Sequence, residues 1–358
     1  MVHSFDVRAL GVRVRVGFDA EASSSLVERA RRVWIDALAC EAGDPAAQVC
    51  VSPLQDEEHL LERLSMSVTL AALDARRGTS LMFHAAGVAA ADGRVIAFVG
   101  PSGRGKTTLT RVLAREWGYV SDETISIGDD LRVFPYRKPL SIVRPGAPKE
   151  QVPASSLGLR ELPSAPLRLA GLVLLDRVDG LATPNLTRVP LVEAIDDLVA
   201  QMSYLPELHR PLQRLAALAA DVGGVLRLSY SEASTLPPLI ESVLDGDVAP
   251  LPTRFVPAVP SPISSTSVVA PSVVDAIDVG DAVIVLSGRT VRVLGGIAPE
   301  IWHFLVEGGP REQIVAAVVD CYGPPVEGDA EGLVDAAIDD LVASELIRCR
   351  FDGRLSWL

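Results

Sequence analysis

The stretch from Gly100 to Thr107 reads GPSGRGKT, and residues of these types at this spacing suit one task, the holding of a phosphate chain. Gly100 opens a turn, Gly103 and Gly105 let the backbone curl until its N–H groups point at an anion, and Lys106 brings an ammonium to the outer phosphates. Thr107 offers the hydroxyl that reaches a divalent ion bridging two phosphates, usually Mg²⁺. Pro101, Ser102 and Arg104 complete the loop, and Thr108 suits packing or hydrogen bonding on the following helix better than metal. Chance alone would produce the four fixed positions in about one such chain in a hundred. Lys106, Lys138 and Lys149 are the three lysines of a chain that otherwise uses arginine, and one of them occupies the motif position.

Phosphate binding does not name the reaction; the acids near the loop bear on that. Asp122 and Glu123 follow Lys106 by 16 and 17 residues, at the edge of the second strand of a strand, helix and strand unit. A carboxylate there can hold metal or take the proton of an attacking hydroxyl; a solvated acidic turn is the plainer alternative. His84 lies 16 residues ahead of Gly100 at the end of an apolar run, where a packed histidine is commoner than a catalytic one. Asp176 closes the apolar run 169–175 in the manner of a metal-proximal strand aspartate, and Arg177 could equally be its ion-pair partner.

Residues 94–99 read as a short buried strand and 107–114 as a helix, the context a phosphate loop needs. Further strands are expected at 81–85, across the Ala91-Asp92-Gly93 turn, at 124–127, closed by Gly128-Asp129-Asp130, and at 169–175. Strands around one loop helix predict a sheet-centred core, α/β or α+β, with a mixed rather than doubly wound sheet. Ahead of it, Val12, Val14 and Val16 alternate with Arg13 and Arg15 as in a half-exposed strand. Residues 56–77 carry Leu60, Leu61, Leu64, Val68, Ala71 and Ala72 at helical spacing, ended by Gly78. Behind it, 191–218 is helical material interrupted by Pro206 and Pro211, and 225–228 returns a strand. Pro250, Pro252, Pro257, Pro260, Pro262 and Pro271 make 248–274 an extended connector. The tail then reads as a hairpin (282–286 and 290–294), helices at 299–305, 311–319 and 331–344, and an edge strand at 347–351. The expected division is 1–78, 79–247, 248–274 and 275–358.

With 358 residues, 48% hydrophobic and 22% charged, the chain can bury more than one core. No cleavable signal fits its first residues, and the apolar run 171–175 is far below the roughly 18 residues of a membrane span, so a cytoplasmic protein is expected. Cys40, Cys50, Cys321 and Cys349 lack metal-ligand spacing and read as isolated thiols. A formal net charge of −13 argues against a nucleic-acid partner. From Asp275 onward 15 acids stand against 6 arginines, unlike a DNA-reading surface, whereas docking of a peptide through backbone hydrogen bonds sets no such requirement.

Phe83-His84-Ala85-Ala86-Gly87, the Asp92-Gly93 turn, GPSGRGKTTL from Gly100 to Leu109, and Val120-Ser121-Asp122-Glu123 together resemble the catalytic core of the HPr kinase/phosphorylase family. The likeness covers residues 81–140, more thinly to Arg177. It implies a P-loop core of the HPr kinase/PEP carboxykinase-like type using ATP and Mg²⁺. It also implies that Asp122 deprotonates an acceptor serine and that Glu123 is the second acid, where the family usually has aspartate. His84 would support Asp122 and the phosphate region, with Lys106 and Thr107 on phosphate and metal. The family's glycine-rich signature for its carrier-protein substrate is missing between Ser155 and Ser164, which points away from that carrier and from phosphorylase activity. In the tail, Ile284-Val285-Leu286, Thr290-Val291-Arg292-Val293-Leu294, Ile301-Trp302, Ile314-Val315 and 341–347 (LVASELI) resemble the PqqD-like peptide-recognition module. That implies a small winged-helix fold holding the leader part of a ribosomally made precursor peptide.

Two functions follow as expectations. One is an ATP-dependent kinase with Asp122, Lys106, His84 and Glu123 at the reaction and Thr107, Glu123 and Asp176 around the metal. Its tail would capture a precursor peptide or small protein. The other is a nucleotide-binding scaffold that has lost transfer and presents a peptide to a partner modification enzyme. Assembly into a homo-oligomer is left open by both.

Overall fold

The computed structural model describes residues 3–40, 43–52, 56–143, 146, 149–246, 249–259, 268–307 and 311–348. Pro260, Pro262, Cys349 and the end of the strand expected at 347–351 lie outside them. The protein is a mixed α/β chain with several sheets. It forms two compact units: Met1–Val189 with Asp197–Leu208 and Val222–Leu251, and Pro190–Asp196 with His209–Asp221 and Pro252–Leu358.

In the first unit β1 (His3–Ala9) and β2 (Val12–Phe18) pair antiparallel. After α1 (Ser24–Val33), β3 (Ala47–Val51) joins β2 in parallel. Val14 and Val16 are fully buried while Arg13 and Arg15 reach Asp6, the alternation that a period of two dictates. Helix α2 (Glu57–Ala75) begins where the Asp56 carboxylate accepts the N–H groups of Glu58 and His59, an N-cap that satisfies donors the helix cannot. Its Leu60, Leu61, Leu64, Val68 and Ala72 share a core with Val14, Val16 and Trp34. Burial of each such leucine contributes about 1.5–3 kcal/mol.

The loop-bearing part follows as β4 (Leu81–Ala89), β5 (Arg94–Val99), α3 (Lys106–Leu113), β6 (Gly118–Ser121), β7 (Thr124–Ile127), β8 (Val133–Phe134), β9 (Leu140–Ile142), β10 (Glu150–Val152), β11 (Arg168–Arg177) and β12 (Asn185–Val189). Then come α4 (Leu191–Val199), β13 (Met202–Ser203), α5 (Pro211–Asp221), β14 (Val225–Tyr230) and α6 (Pro237–Leu244). The main sheet runs in the order β12-β14-β11-β5-β4-β7-β8. It is mixed, as expected. The four-residue step from β4 permits only an antiparallel hairpin with β5, whereas β5, β11 and β14 are parallel across longer crossovers.

In the second unit β15 (Val256–Pro257), β16 (Val273–Asp278), β17 (Val283–Ser287) and β18 (Thr290–Leu294) form an antiparallel sheet in chain order. Helices α7 (Ala298–Glu307), α8 (Arg311–Tyr322) and α9 (Ala330–Ala343) complete it. Trp302 is fully buried and its indole N–H donates to the Ala258 carbonyl at 2.6 Å. Ala258, Val269 and Ala270, all from the proline-rich stretch, belong to the same core. Pro257 sits on the edge strand, where a missing N–H costs the sheet little. Helix α5 groups with this unit because the buried Asp275 carboxylate accepts the N–H groups of Leu212 and Gln213, at 2.9 and 3.1 Å, and the Gln213 side chain at 2.8 Å. Among the described residues no helix is long and apolar enough to cross a membrane, and Cys40, Cys50 and Cys321 are free thiols.

Candidate phosphate and metal site

Sheet register brings the candidate residues to one row. Val99, the last residue of β5, pairs with Ala85 of β4 on one side and Leu174 of β11 on the other. The Ala85 N–H donates to the Glu123 carbonyl at 3.0 Å. The loop therefore starts beside the acid pair, and Asp176 lies just past Leu174 on the opposite side. Strands β6 and β7 both pair with β4, through Gly87↔Ser121 and His84↔Thr124, and Asp122-Glu123 form the break between them. The Ser121 hydroxyl holds that break by accepting the N–H groups of Glu123 and Thr124, each at 3.2 Å. The parallel strands β5 and β11 bring their carboxyl ends here, the place where α/β sheets hold their ligands.

The loop's backbone needs glycine. Gly105 has φ +89° and caps α3, and a Cβ there would stand 3.1 Å from the Tyr230 hydroxyl. That hydroxyl donates to the Arg104 carbonyl at 2.9 Å, and the Arg104 guanidinium donates to the Arg177 carbonyl at 3.3 Å. Gly103, at φ +84°, has open space where a side chain would be. Pro101, Ser102, Arg104 and Thr108 are exposed. The first N–H groups of α3 are left without helical partners, and the helix dipole favours an anion there. Lys106 is buried, and its ammonium donates to the carbonyls of Gly100 and Pro101 at 2.7 and 3.1 Å. Burial, opposed by Asp122 and Glu123, pulls its pKa down to about 8.

Behind the loop the charges interlock. The Thr107 hydroxyl donates to Asp122 Oδ2 at 2.9 Å, and the Tyr119 hydroxyl to Asp122 Oδ1 at 3.1 Å. The Lys138 ammonium lies 3.0 Å from Glu123 Oε2 and 3.5 Å from Asp122 Oδ1. Burial alone would depress the Lys138 pKa, but the two carboxylates outweigh it and raise it. The Tyr119 phenol is pushed well up by burial and by Asp122. The His84 pKa is lowered by burial and by Lys106, against the pull of Glu123, a shift that favours the neutral imidazole. Its backbone N–H donates to the Gln201 carbonyl at 2.7 Å.

The structure thus gathers Lys106, Thr107, Asp122 and Glu123, with His84 in their electrostatic reach. Asp122 is the acid bonded to Thr107, and Glu123 is the partner of Lys138. Asp176 accepts from the Ser229 hydroxyl at 3.2 Å. Thr108 is exposed on α3, and Thr110 bonds back to the Lys106 carbonyl at 2.8 Å. Motif reasoning missed Lys138 and Tyr119. Lysine scarcity was a signal for the first; nothing local marks the second.

No protein-family model matches the chain, and no curated protein matches it. Among solved structures the chain is similar to the Hpr(Ser) kinase/phosphatase from Coxiella burnetii, at 14% identity over 46% of this chain and 95% of that one, with a TM-score of 0.27. A likeness of that degree says nothing of activity.

Proposed function

We propose that the first unit is a phosphotransferase, which moves the terminal phosphoryl group of ATP to a hydroxyl, with serine of a peptide or small protein as the acceptor. The observation that carries this reading is the 2.9 Å bond between Thr107 and Asp122 at the start of α3. It joins a phosphate-binding loop to a carboxylate suited to proton transfer. Mg²⁺ fits the site: a hydroxyl and a carboxylate are adjacent hard oxygen donors. Among the described residues no three His, Cys, Asp or Glu side chains cluster to hold a metal, so phosphate oxygens would complete the coordination. When bound, Mg²⁺ would neutralise charge on the phosphate oxygens.

The chain's own residues supply the rest. The α3 N-terminus and the backbone of Gly103 and Gly105 hold phosphate oxygens, and Lys106 leaves the loop carbonyls to meet the transferred group. Asp122 accepts the proton as the acceptor oxygen bonds to phosphorus and the bond to ADP breaks. Neutral His84 supports the acid pair without adding charge. Asp176, at the far side of the loop, is a further oxygen donor toward the cation. In the second unit, among the described residues, β18 pairs with β17 alone, which suits a leader peptide adding as a strand. The domain reading that goes with this is a kinase core joined through the proline-rich stretch to a peptide-binding tail.

Incubation with labelled ATP, Mg²⁺ and candidate peptides tests the reading. Stoichiometric phosphoserine that disappears with Asp122→Asn is expected. Tight ATP and peptide binding without transfer would overturn it in favour of the scaffold.

A further inference from the structure

Lys138 belongs to no motif, yet the residue is only 2% exposed and its ammonium meets three acceptors: Glu123 Oε2 at 3.0 Å, Asp122 Oδ1 at 3.5 Å and the Pro139 carbonyl at 3.0 Å. The chain is brought back to the site by β8, which pairs with β7, and by the Tyr136 N–H, which donates to the Val120 carbonyl at 3.0 Å. Tyr136 is itself anchored, fully buried and hydrogen-bonded to Thr69 at 2.8 Å. Burying an ammonium costs several kcal/mol, and a well-packed apolar side chain would serve stability as well or better. A buried lysine held this firmly between two carboxylates points to a role beyond folding. Its type matters too. The chain uses arginine nearly everywhere else, and a compact three-donor ammonium suits three converging acceptors that a planar guanidinium does not.

The consequence falls on the acids. With Tyr119 and Lys138 on Oδ1, Asp122 turns Oδ2 to Thr107. Glu123 is occupied by Lys138. We infer that Lys138 is the positioning residue of the acid pair: it orients Asp122 toward Thr107 and keeps Glu123 as its own counter-ion, so that of the two adjacent acids it is Asp122 that serves the cation and the acceptor. What the acids do rests on the phosphotransferase reading; how they are held does not.

The test uses the full chain and ATP binding with and without Mg²⁺, measured by calorimetry beside a melting curve and a transfer assay. In Lys138→Met the cation-free affinity is expected to stay near wild type. The gain in affinity that Mg²⁺ confers is expected to fall about 10–100-fold, as when a ligand loses the partner that orients it. Lys138→Arg restores only part of it. Adding Glu123→Gln to Lys138→Met is expected to be non-additive. An unchanged Mg²⁺ gain in Lys138→Met, or strict additivity, overturns the inference. Should Lys138→Met not fold, the same cycle on Lys138→Arg and Glu123→Gln decides. Transfer retained with an unchanged Mg²⁺ gain in Lys138→Met sinks the positioning role alone. Loss of that gain in a protein whose wild type transfers nothing sinks the kinase reading alone.

Discussion

Each unit buries charge, and the two do so to different ends. In the second unit Asp275 is 1% exposed, and its oxygens are consumed by two backbone N–H groups of α5, a glutamine amide and its neighbour's N–H. Every partner is a fixed part of the fold, so the carboxylate has nothing left to offer a ligand. In the first unit Lys106, Lys138 and Asp122 are buried together, but their partners include a hydroxyl, a phenol and loop carbonyls that can exchange. A buried charge signals function when its partners can be traded for a ligand's atoms, and signals architecture when they cannot.

That contrast can be broken in four places. The largest effect is expected for Lys106→Met, which removes the ammonium beside the phosphates: transfer should fall about 10²–10³-fold with little change in melting temperature, read by steady-state kinetics beside calorimetry. A full rate would strip the loop of its role. Next, Asp275→Ala takes the carboxylate away from its four donors, and denaturant titration should show a loss of about 1–3 kcal/mol in the second unit, with ATP affinity as the unaffected control. Gly105→Ala forces a side chain into φ +89° and toward Tyr230, costing about 1–2 kcal/mol. Weakened ATP binding, by roughly tenfold, is the expected reading, and unchanged binding would mean that the loop tolerates another backbone. The smallest effect belongs to Tyr119→Phe, which deletes one bond to Asp122 and should cost about 0.5–1.5 kcal/mol in stability while changing transfer more than ATP affinity.

How far the sequence could be read follows from the range of the interactions. The loop was readable because glycine conformations and a helix start are local, and α2, α7 and α9 because their periodicity is local too. The alternating valines marked β2 for the same reason. Lys138 could not be placed, since its partners lie 15 and 16 residues back and meet it only through the pairing of β7 with β8 and the Tyr136 anchor. Nor could the grouping of α5 with the tail, which depends on a hydrogen bond from the Leu212 N–H to Asp275 spanning 63 residues. Asp176 was singled out by its strand-end position, but its hydroxyl partner Ser229 arrives by parallel pairing of β11 with β14, a register that no local pattern declares.

Lysine usage has a practical consequence. Two of the three side-chain amines are buried at the candidate site, while Lys149, paired with Glu62 at 3.3 Å, has a side chain 52% exposed. Amine-reactive reagents should therefore mark Lys149 readily and leave Lys106 and Lys138 untouched in the native protein. Mass-spectrometric footprinting then becomes a gauge of the loop, in which acylation at Lys106 counts the molecules whose phosphate cradle has opened.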